Sequence, residues 1–403
     1  MELIGKPKLI RKINRKLILK YIRSKKILTK AELYELTNLS KQTINNIITG
    51  LLKKNLVIKA GYGNSTKEGG KKPLLLKFNS RAHFLIGVMI GLNRIRCGIT
   101  DLNGEIIKEE YIKTLKDSGS KNIIKNITTL INKLIQDSKI DRNLILGIGI
   151  GVPGIANINN GLVEMLPLFK GWENIYLGKI IENKFNIKVV VDNENRMRAM
   201  GEKWFGLAKN KNNSVVIITG DGIGGGIIIN GEVLRGNNFF SGEIGHMKLS
   251  LDGPLCNCGS SGCFETLINT KSINNYFKEI IRNNSFEESK LFKIFKEKGE
   301  ISLNQLFINY NNKDKIAELI MEKLIKWFAL GISNLVCLYD PEIIIIHGEY
   351  TVLNKIFFNK LNELINLYVF PKLRKKITIK KTNLGPDIGI VGAISMVLDI
   401  IDL

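Results

Sequence analysis

Apolar residues recur along this chain in two regimes. Through the first 80 positions they fall at helical spacing. Leu17, Ile18, Tyr21 and Ile22 share one face of a helix expected over about residues 14–24. Thr29 stands as the cap of a second helix with Glu32 three positions on, the capping-box pattern, and Leu33 and Leu36 supply its apolar face. After the turn Thr37-Asn38-Leu39, Ser40 caps a third helix carrying Thr43, Ile44, Ile47, Ile48, Leu51 and Leu52. Two strands, 56–59 and 73–78, follow, joined by the Gly-rich basic loop GYGNSTKEGGKK. From about residue 84 the period changes. The runs FLIGVMIG, RCGITDLNGEII, LILGIGIGVPG, IKVVVDNEN, SVVIITGDGIGGGIIING and PEIIIIHGE read as buried or half-buried strands. Helices are expected between and after them at about 121–137, 175–184, 195–205, 316–338 and 388–400. The pattern predicts an α/β protein whose larger part forms two lobes with a cleft between them, a common place for a small ligand.

The leading segment has helix-turn-helix proportions: a short second helix, a tight turn, a longer third helix, and a hairpin as the wing. Ser40, Lys41, Gln42, Thr43, Asn45 and Asn46 lie at the start of the third helix, where side chains reach base edges and phosphates. Lys71 and Lys72, on the wing, are placed to touch the DNA backbone. Charge sharpens this reading. Residues 1–80 carry 19 Lys and Arg against 4 Asp and Glu, so +15 of the chain's formal +23 sits in one fifth of its length. A compositional bias towards lysine would not concentrate the excess in this way. The alternative is a small three-helix unit for protein docking, which needs neither the wing nor the charge. With 403 residues the chain has room for two or three domains. No apolar run approaches the ~20 residues of a membrane span. The basic N-terminus lacks an apolar signal core, which argues for a cytoplasmic protein.

Cysteine usage adds the candidate chemistry. Three of the five cysteines fall in Cys256-x-Cys258-x4-Cys263, and His246 lies ten residues upstream. Three thiolates and one imidazole make a closed tetrahedral zinc set, which builds structure and leaves no open position for chemistry. Gly259 and Gly262 allow the tight turns such a set needs. Glu243 precedes the histidine by three positions and Glu265 follows the last cysteine by two. A metal knot flanked by carboxylates is a frame for holding a polyhydroxyl ligand. Cys97 and Cys337, in apolar surroundings, read as small core residues.

Taken together these motifs resemble the ROK proteins (repressors, open reading frames and kinases). The resemblance spans nearly the whole chain. It is carried by the helix-turn-helix with its GGKKP wing, GVPG at 151–154, GDGIGGGIIING at 220–231, GEIGH at 242–246, CNCGSSGCFE at 256–265 and DPEIIIIHG at 340–348. It implies a winged helix-turn-helix over 1–80 and a bilobal actin-like sensor over 81–403. One lobe would comprise about 81–192 with the C-terminal helix 387–403, and the other about 193–386. It also implies that sugar hydroxyls are held by Asn193, Glu243, His246 and Glu265, with Glu194 as the acidic residue after the asparagine. Carboxylates accept from hydroxyls, an amide does both, and metal binding fixes the imidazole tautomer. The VDNE run at 191–194 is most like the xylose-repressor branch, although Asn195-Arg196 departs from the Ala-Asn common there. The stretch Leu168-Phe169-Lys170-Gly171-Trp172 departs too. Asp192 and Arg196 are expected as solvated or capping residues.

The same resemblance raises an ATP-dependent, glucokinase-like kinase with an appended DNA-binding domain. Three positions speak against it. Met89 stands where the kinases carry an acidic residue, in Met89-Ile90-Gly91-Leu92-Asn93. Glu194, one methylene longer, replaces the aspartate base, a misplacement that costs rate steeply. Gly348 is followed by Glu349 and Tyr350 in place of glycine. The expectation is a dimer or dimer of dimers that binds an inverted-repeat operator and is released by a monosaccharide such as xylose, with structural zinc, no ATP requirement and no catalytic residues.

Overall fold

The computed structural model describes residues 7–64, 72–220, 222–282 and 286–401. Helix α1 (Pro7–Lys25) leads into strand β1 (Ile27–Thr29), helices α2 (Lys30–Thr37) and α3 (Lys41–Lys53), and strands β2 (Val57–Tyr62) and β3 (Leu74–Phe78). The capping box forms: Thr29 Oγ1 accepts from the Glu32 N–H at 3.2 Å, and the Thr29 N–H donates to Glu32 Oε2 at 2.7 Å. Asn38 closes α2 in the left-handed region at φ 55°, and Ser40 Oγ accepts from the Thr43 N–H at 3.1 Å to start α3. Ile18, Ile22, Leu33, Ile44, Ile48 and Leu51 are buried in one cluster. Two features differ from expectation. Helix α1 begins at Pro7, a residue whose missing N–H costs nothing in the first turn. Strand β1 is too short to show a period and exists through its antiparallel pairing with β3, so the sheet runs β1-β3-β2.

Beyond residue 80 the chain builds two five-stranded sheets. The first uses β4 (Phe84–Ile90), β5 (Arg94–Asp101), β6 (Ile106–Lys113), β7 (Ile145–Val152) and, after a small sheet of β8 (Ile155–Asn157), β9 (Leu162–Met165) and β10 (Glu173–Ile175), β11 (Val189–Asn193). Helices α4 (Ser120–Ser138) and α5 (Leu177–Phe185) are its crossovers. Helix α6 (Glu194–Phe205) then leads to the second sheet: β12 (Ser214–Thr219), β13 (Ile223–Ile229), β14 (Glu232–Val233), β15 (Ile343–Gly348) and β16 (Ile379–Lys381). Its crossovers are α7 (Phe264–Ile268), α8 (Thr270–Ile281), α9 (Lys290–Lys298), α10 (Leu303–Asn311) and α11 (Lys315–Tyr339), then α12 (Lys355–Tyr368), and α13 (Ile388–Ile400) ends the described chain. The sheets share one topology, β6-β5-β4-β7-β11 and β14-β13-β12-β15-β16. In each, an antiparallel meander is extended by two parallel strands.

The helices that follow the sheets are exchanged. Helix α6 follows the first sheet but packs on β12 and β13, while α13 follows the second and packs on β4 and β7. They cross where glycine removes the side chain: a Cβ on Gly392 would lie 2.4 Å from the Met197 carbonyl oxygen. On the sheet below, a Cβ on Gly149 would lie 2.1 Å from the Ala393 carbonyl oxygen. Gly149→Ala is therefore expected to push α13 off β7 at a cost of about 1–3 kcal/mol, read as a lower urea midpoint. Cys97 is buried on β5 as expected, and burial pushes its thiol well above the usual range. Cys337 is not a core residue: it lies on an exposed face of α11 near its C-terminal end. Among the described residues no helix is long and apolar enough to cross a membrane.

Candidate functional site

Between β14 and α7 the chain makes the 3-10 turn Ile244–His246 and a loop tied by the bridges Lys248–Cys263 and Leu255–Ser261. Gly262, at φ 68°, passes so close to Ser250 that a Cβ would overlap its carbonyl oxygen. This folding brings His246, Cys256, Cys258 and Cys263 together, with their four ligand atoms all within 4.8 Å of one another. Cys258 Sγ and Cys263 Sγ are 3.7 Å apart, and Cys256 Sγ is 3.6 Å from His246 Nδ1. Tetrahedral bonds of about 2.3 Å to sulfur put donor atoms about 3.8 Å apart, so the set fits a tetrahedral cation. Burial pushes the Cys256 thiol up to about 12, whereas the Ser260 N–H draws Cys258 down. A bound cation would hold these sulfurs as thiolates. Nδ1 faces the cluster, which leaves Nε2 of the exposed imidazole for another partner.

Both flanking glutamates join this frame. Glu265 Oε1 accepts from the Cys256 thiol at 3.1 Å and lies 3.7 Å from His246 Nδ1. Its Oε2 rests against backbone: a Cβ on Gly222 or on Gly245 would come within 3.3 Å of it. Glu243 leads the 3-10 turn, and burial raises its carboxyl above the usual carboxylate range, opposed by the charges of His246 and Arg196. Glu265 and Glu194 also act on it by charge. Three carboxylates and an imidazole thus come within charge range of one another where Gly222, the Cys/His loop and the start of α6 meet.

Asn193 and Glu194 reach this place but are engaged. Asn193 caps α6: its Oδ1 accepts from the N–H groups of Asn195 at 2.8 Å and Arg196 at 3.3 Å, and its Nδ2 donates to the Gly154 carbonyl at 3.0 Å. Glu194 Oε2 pairs with Arg198 Nη1 at 3.0 Å. Asp192 and Arg196 depart from expectation altogether. They are 0% and 1% exposed and form an ion pair at 2.7 Å. Arg196 also donates to the carbonyls of Phe239 at 2.9 Å, Ser241 at 3.3 Å and Ala156 at 3.4 Å, and Arg235 Nε reaches the other Asp192 oxygen at 3.1 Å. Arg196 does not face the ligand cluster as a solvated group. It clasps β11 and β8 to the loop that carries Glu243. An acid and an arginine four apart across a strand-to-helix junction was the available signal; nothing in the sequence marked Arg235.

Two of the positions that depart from the kinase pattern are buried in apolar surroundings, one in each sheet's core. Met89 is buried against Gly151, Gly389 and Met197, with a Cβ on Gly151 falling 2.5 Å from its sulfur. After Gly348, Tyr350 is fully buried, stacked 5.0 Å from Phe328 and 4.8 Å edge-on to Phe307, and its hydroxyl donates to the Ile268 carbonyl at 3.1 Å. Trp172 is buried in the core beneath the first sheet.

On the N-terminal unit, Ser40, Lys41, Gln42, Asn45 and Asn46 are exposed along α3, and Thr43 is half-buried. Lys30 Nζ donates to Asn45 Oδ1 at 2.7 Å, and Gln42 Nε2 to Asn46 Oδ1 at 3.3 Å, so the polar face is already ordered. Lys72 is exposed beside β3; Lys71 lies outside the described residues.

Comparison with known proteins agrees with this geometry. Residues 85–400 match the ROK family profile. The xylose repressor of Caldicellulosiruptor bescii is 30% identical over 395 residues, 98% of each chain. The glucokinase of Thermotoga maritima is 28% identical over 313 residues, covering 78% of this chain and 96% of that enzyme. A solved ROK family transcriptional regulator, a homologue of the E. coli MLC protein, superposes with a TM-score of 0.82 at 22% identity, over 96% of both chains. At that identity the likeness establishes the fold: an N-terminal helical region and a sugar-kinase-like, actin-type domain.

Proposed function

The chain belongs to the ROK family, and from that premise we propose that it is a cytoplasmic, sugar-responsive transcriptional repressor. Residues 1–80 serve as a winged helix-turn-helix and 81–403 as the two-lobed sensor, divided near 193 and 387. The observation that carries the reading is Met89: a thioether packed among glycines occupies the place of a metal-orienting carboxylate, while the carboxylates and imidazole that suit a sugar persist around a metal set. The likeness to a xylose repressor over 98% of both chains supports it, because the shared length includes the N-terminal unit that lies outside the family profile.

In this reading Glu243, Glu265 and His246 Nε2 hold the sugar hydroxyls, with Glu194 at the rim and Asn193 shaping the start of α6. Zinc on His246, Cys256, Cys258 and Cys263 fixes the loop and the imidazole tautomer. Ser40, Lys41, Gln42, Thr43, Asn45 and Asn46 face the major groove, and Lys71 and Lys72 the phosphates. A dimer presents two such heads to an inverted repeat, and a free aldose such as xylose releases them.

The test is a thermal-shift screen of free aldoses, since a ligand that binds the folded state raises the melting temperature. Glu243→Gln and Glu265→Gln are each expected to weaken the binding of the best sugar by about 10-fold or more, in line with the loss of one charge-assisted hydrogen bond of about 1.5–3 kcal/mol. The kinase reading rests on the glucokinase likeness. Incubation with Mg-ATP and hexoses separates the two: turnover near the enzyme median of ~10 s⁻¹ would replace the repressor by an enzyme.

A further inference from the structure

The seam between the N-terminal unit and the sensor holds a half-buried cation. Arg23, in the last turns of α1, donates from Nη2 to the Leu102 carbonyl at 2.8 Å. Its guanidinium lies over three rings, 5.2 Å from the centroid of Phe78, 5.2 Å from that of Trp204 and 5.8 Å from that of Phe205. Burial draws its pKa down to about 10, with the charge of Asp101 acting in the other direction. These partners come from three places. Phe78 ends β3 and so belongs to the N-terminal sheet; Leu102 lies in the turn joining β5 to β6; Trp204 and Phe205 are the last two residues of α6. The Phe205 ring also covers Gly104 of that turn, where a Cβ at φ 79° would meet it at 3.3 Å.

Helix α6 has its other end in the candidate sugar site, beginning at Glu194 beside Asn193 and Arg196. Its 12 residues span about 18 Å. The close crossing with α13 through Gly392 and Gly201 leaves little room for bending, so a displacement at its first turn is carried to its last. Helix α1 also touches the end of α13, Lys16 Nζ lying 3.5 Å from the Asp399 carbonyl oxygen. A guanidinium held by one carbonyl and three ring faces has a preferred seat, because leaving it forfeits the hydrogen bond and the cation–π contact together. A second seat lies nearby: Asp101 Oδ2 is buried with no hydrogen-bond partner among the described residues.

We propose that Arg23 is the positioning residue that couples the sensor to the DNA-binding unit, with α6 as the rod: a ligand that shifts the start of α6 moves the Trp204–Phe205 pair and re-aims α1, and with it α3. This deepens the repressor reading and rests on it. The experiment measures the affinity of wild type, Arg23→Met and Arg23→Lys for a DNA duplex selected by the wild-type protein from random sequence, with and without saturating D-xylose, or the aldose the wild type binds in the thermal-shift screen. Sugar affinity is measured in parallel by calorimetry. The wild type is expected to lose up to ~100-fold in DNA affinity on adding sugar, Arg23→Met less than ~5-fold with its sugar affinity unchanged, and Arg23→Lys an intermediate amount. An Arg23→Met protein with the full wild-type ratio overturns the proposal. If Arg23→Met no longer binds DNA at all, Arg23→Lys decides: a full ratio there makes Arg23 a structural anchor only, and a reduced ratio supports coupling. A wild type whose DNA affinity ignores every sugar it binds removes the repressor reading first, and this inference with it.

Discussion

Replacing Cys256 and Cys258 by serine is expected to abolish sugar binding while leaving sugar-free DNA binding in place. The tip of the loop from Met247 to Cys263 has little apolar support: Met247 and Leu249 pack on the core at its base, but Leu251 and Leu255 are exposed, and beyond the bridges Lys248–Cys263 and Leu255–Ser261 it is held by turns such as Cys256 N–H to the Ser260 carbonyl at 2.7 Å. What closes it is the convergence of four donors. Structural zinc sites of this kind contribute about 10–16 kcal/mol of apparent binding energy at neutral pH, far more than those turns supply. Without the cation His246 loses its fixed tautomer, and Glu265, now held beside the Cys256 thiol and Gly245, loses its floor. The face on α3 belongs to another sheet and another core, so it stays folded. Metal analysis of the purified protein, sugar calorimetry and DNA gel shifts on the double variant test each link in turn. Wild-type sugar affinity in a protein shown to be metal-free would mean that the loop folds unaided and that the frame is incidental.

Which parts of this were legible in the sequence follows from physical range. The capping box at Thr29, the cap at Ser40 and the Cys/His loop are local: the caps are signalled within three residues and the loop within the span from His246 to Cys263, without tertiary context. The strands β4, β5, β7, β11, β12, β13 and β15 are legible as mostly buried apolar runs, whereas β6 and β16 are half-buried or exposed and β14 and β16, of two and three residues, carry no period. Strand β1 is not legible either, since three residues carry no period and pair only once β3 is in place. The shared topology of the two sheets was hidden because their crossovers differ, one helix between β6 and β7 against five between β14 and β15. Helices α7, α9 and α10, of five, nine and nine residues, are too short to show a firm period, whereas α8 and α12, also unassigned from the sequence, do keep buried faces, Ile273 with Phe277 and Phe357 with Leu361 and Ile365. At the site, Glu265 and Glu243 lie close to the Cys/His cluster, as their spacing suggests, but the groups that compete for the hydrogen bonds of Asn193 and Glu194 are not readable from the sequence. That Asn193 spends both its oxygen lone pairs on the start of α6, and that Arg198 engages Glu194, are facts of helix geometry at a junction. Arg23 had no sequence mark at all; beside Lys25 and Lys26 it is one more basic residue.

The clasp at Asp192 carries the largest expected effect on stability. Asp192→Ala leaves Arg196 almost fully buried, with the carbonyls of Ala156, Phe239 and Ser241 as partners and no counter-charge on its own junction. It also strips Arg235 of its carboxylate, leaving it the weak acceptor Met396 Sδ at 3.2 Å. Breaking one side of a buried pair costs about 3–5 kcal/mol, because the survivor is an uncompensated charge out of water. Arg196→Met is expected to cost less, since Asp192 keeps Arg235 and the Asn193 N–H at 2.7 Å, though three carbonyls lose a donor. The double variant Asp192→Ala with Arg196→Met removes both charges and should be more stable than Asp192→Ala alone, a non-additivity that surface residues do not show. Urea unfolding followed by fluorescence reads all three. Phe239, held at φ 58° with its carbonyl turned to Arg196, lies four residues before Glu243, so the same variants should also weaken sugar binding. Additive losses in the two single variants would show that the charges do not depend on each other. In that case the junction owes its shape to the packing of α6 against α13, and Arg196 merely fills space there.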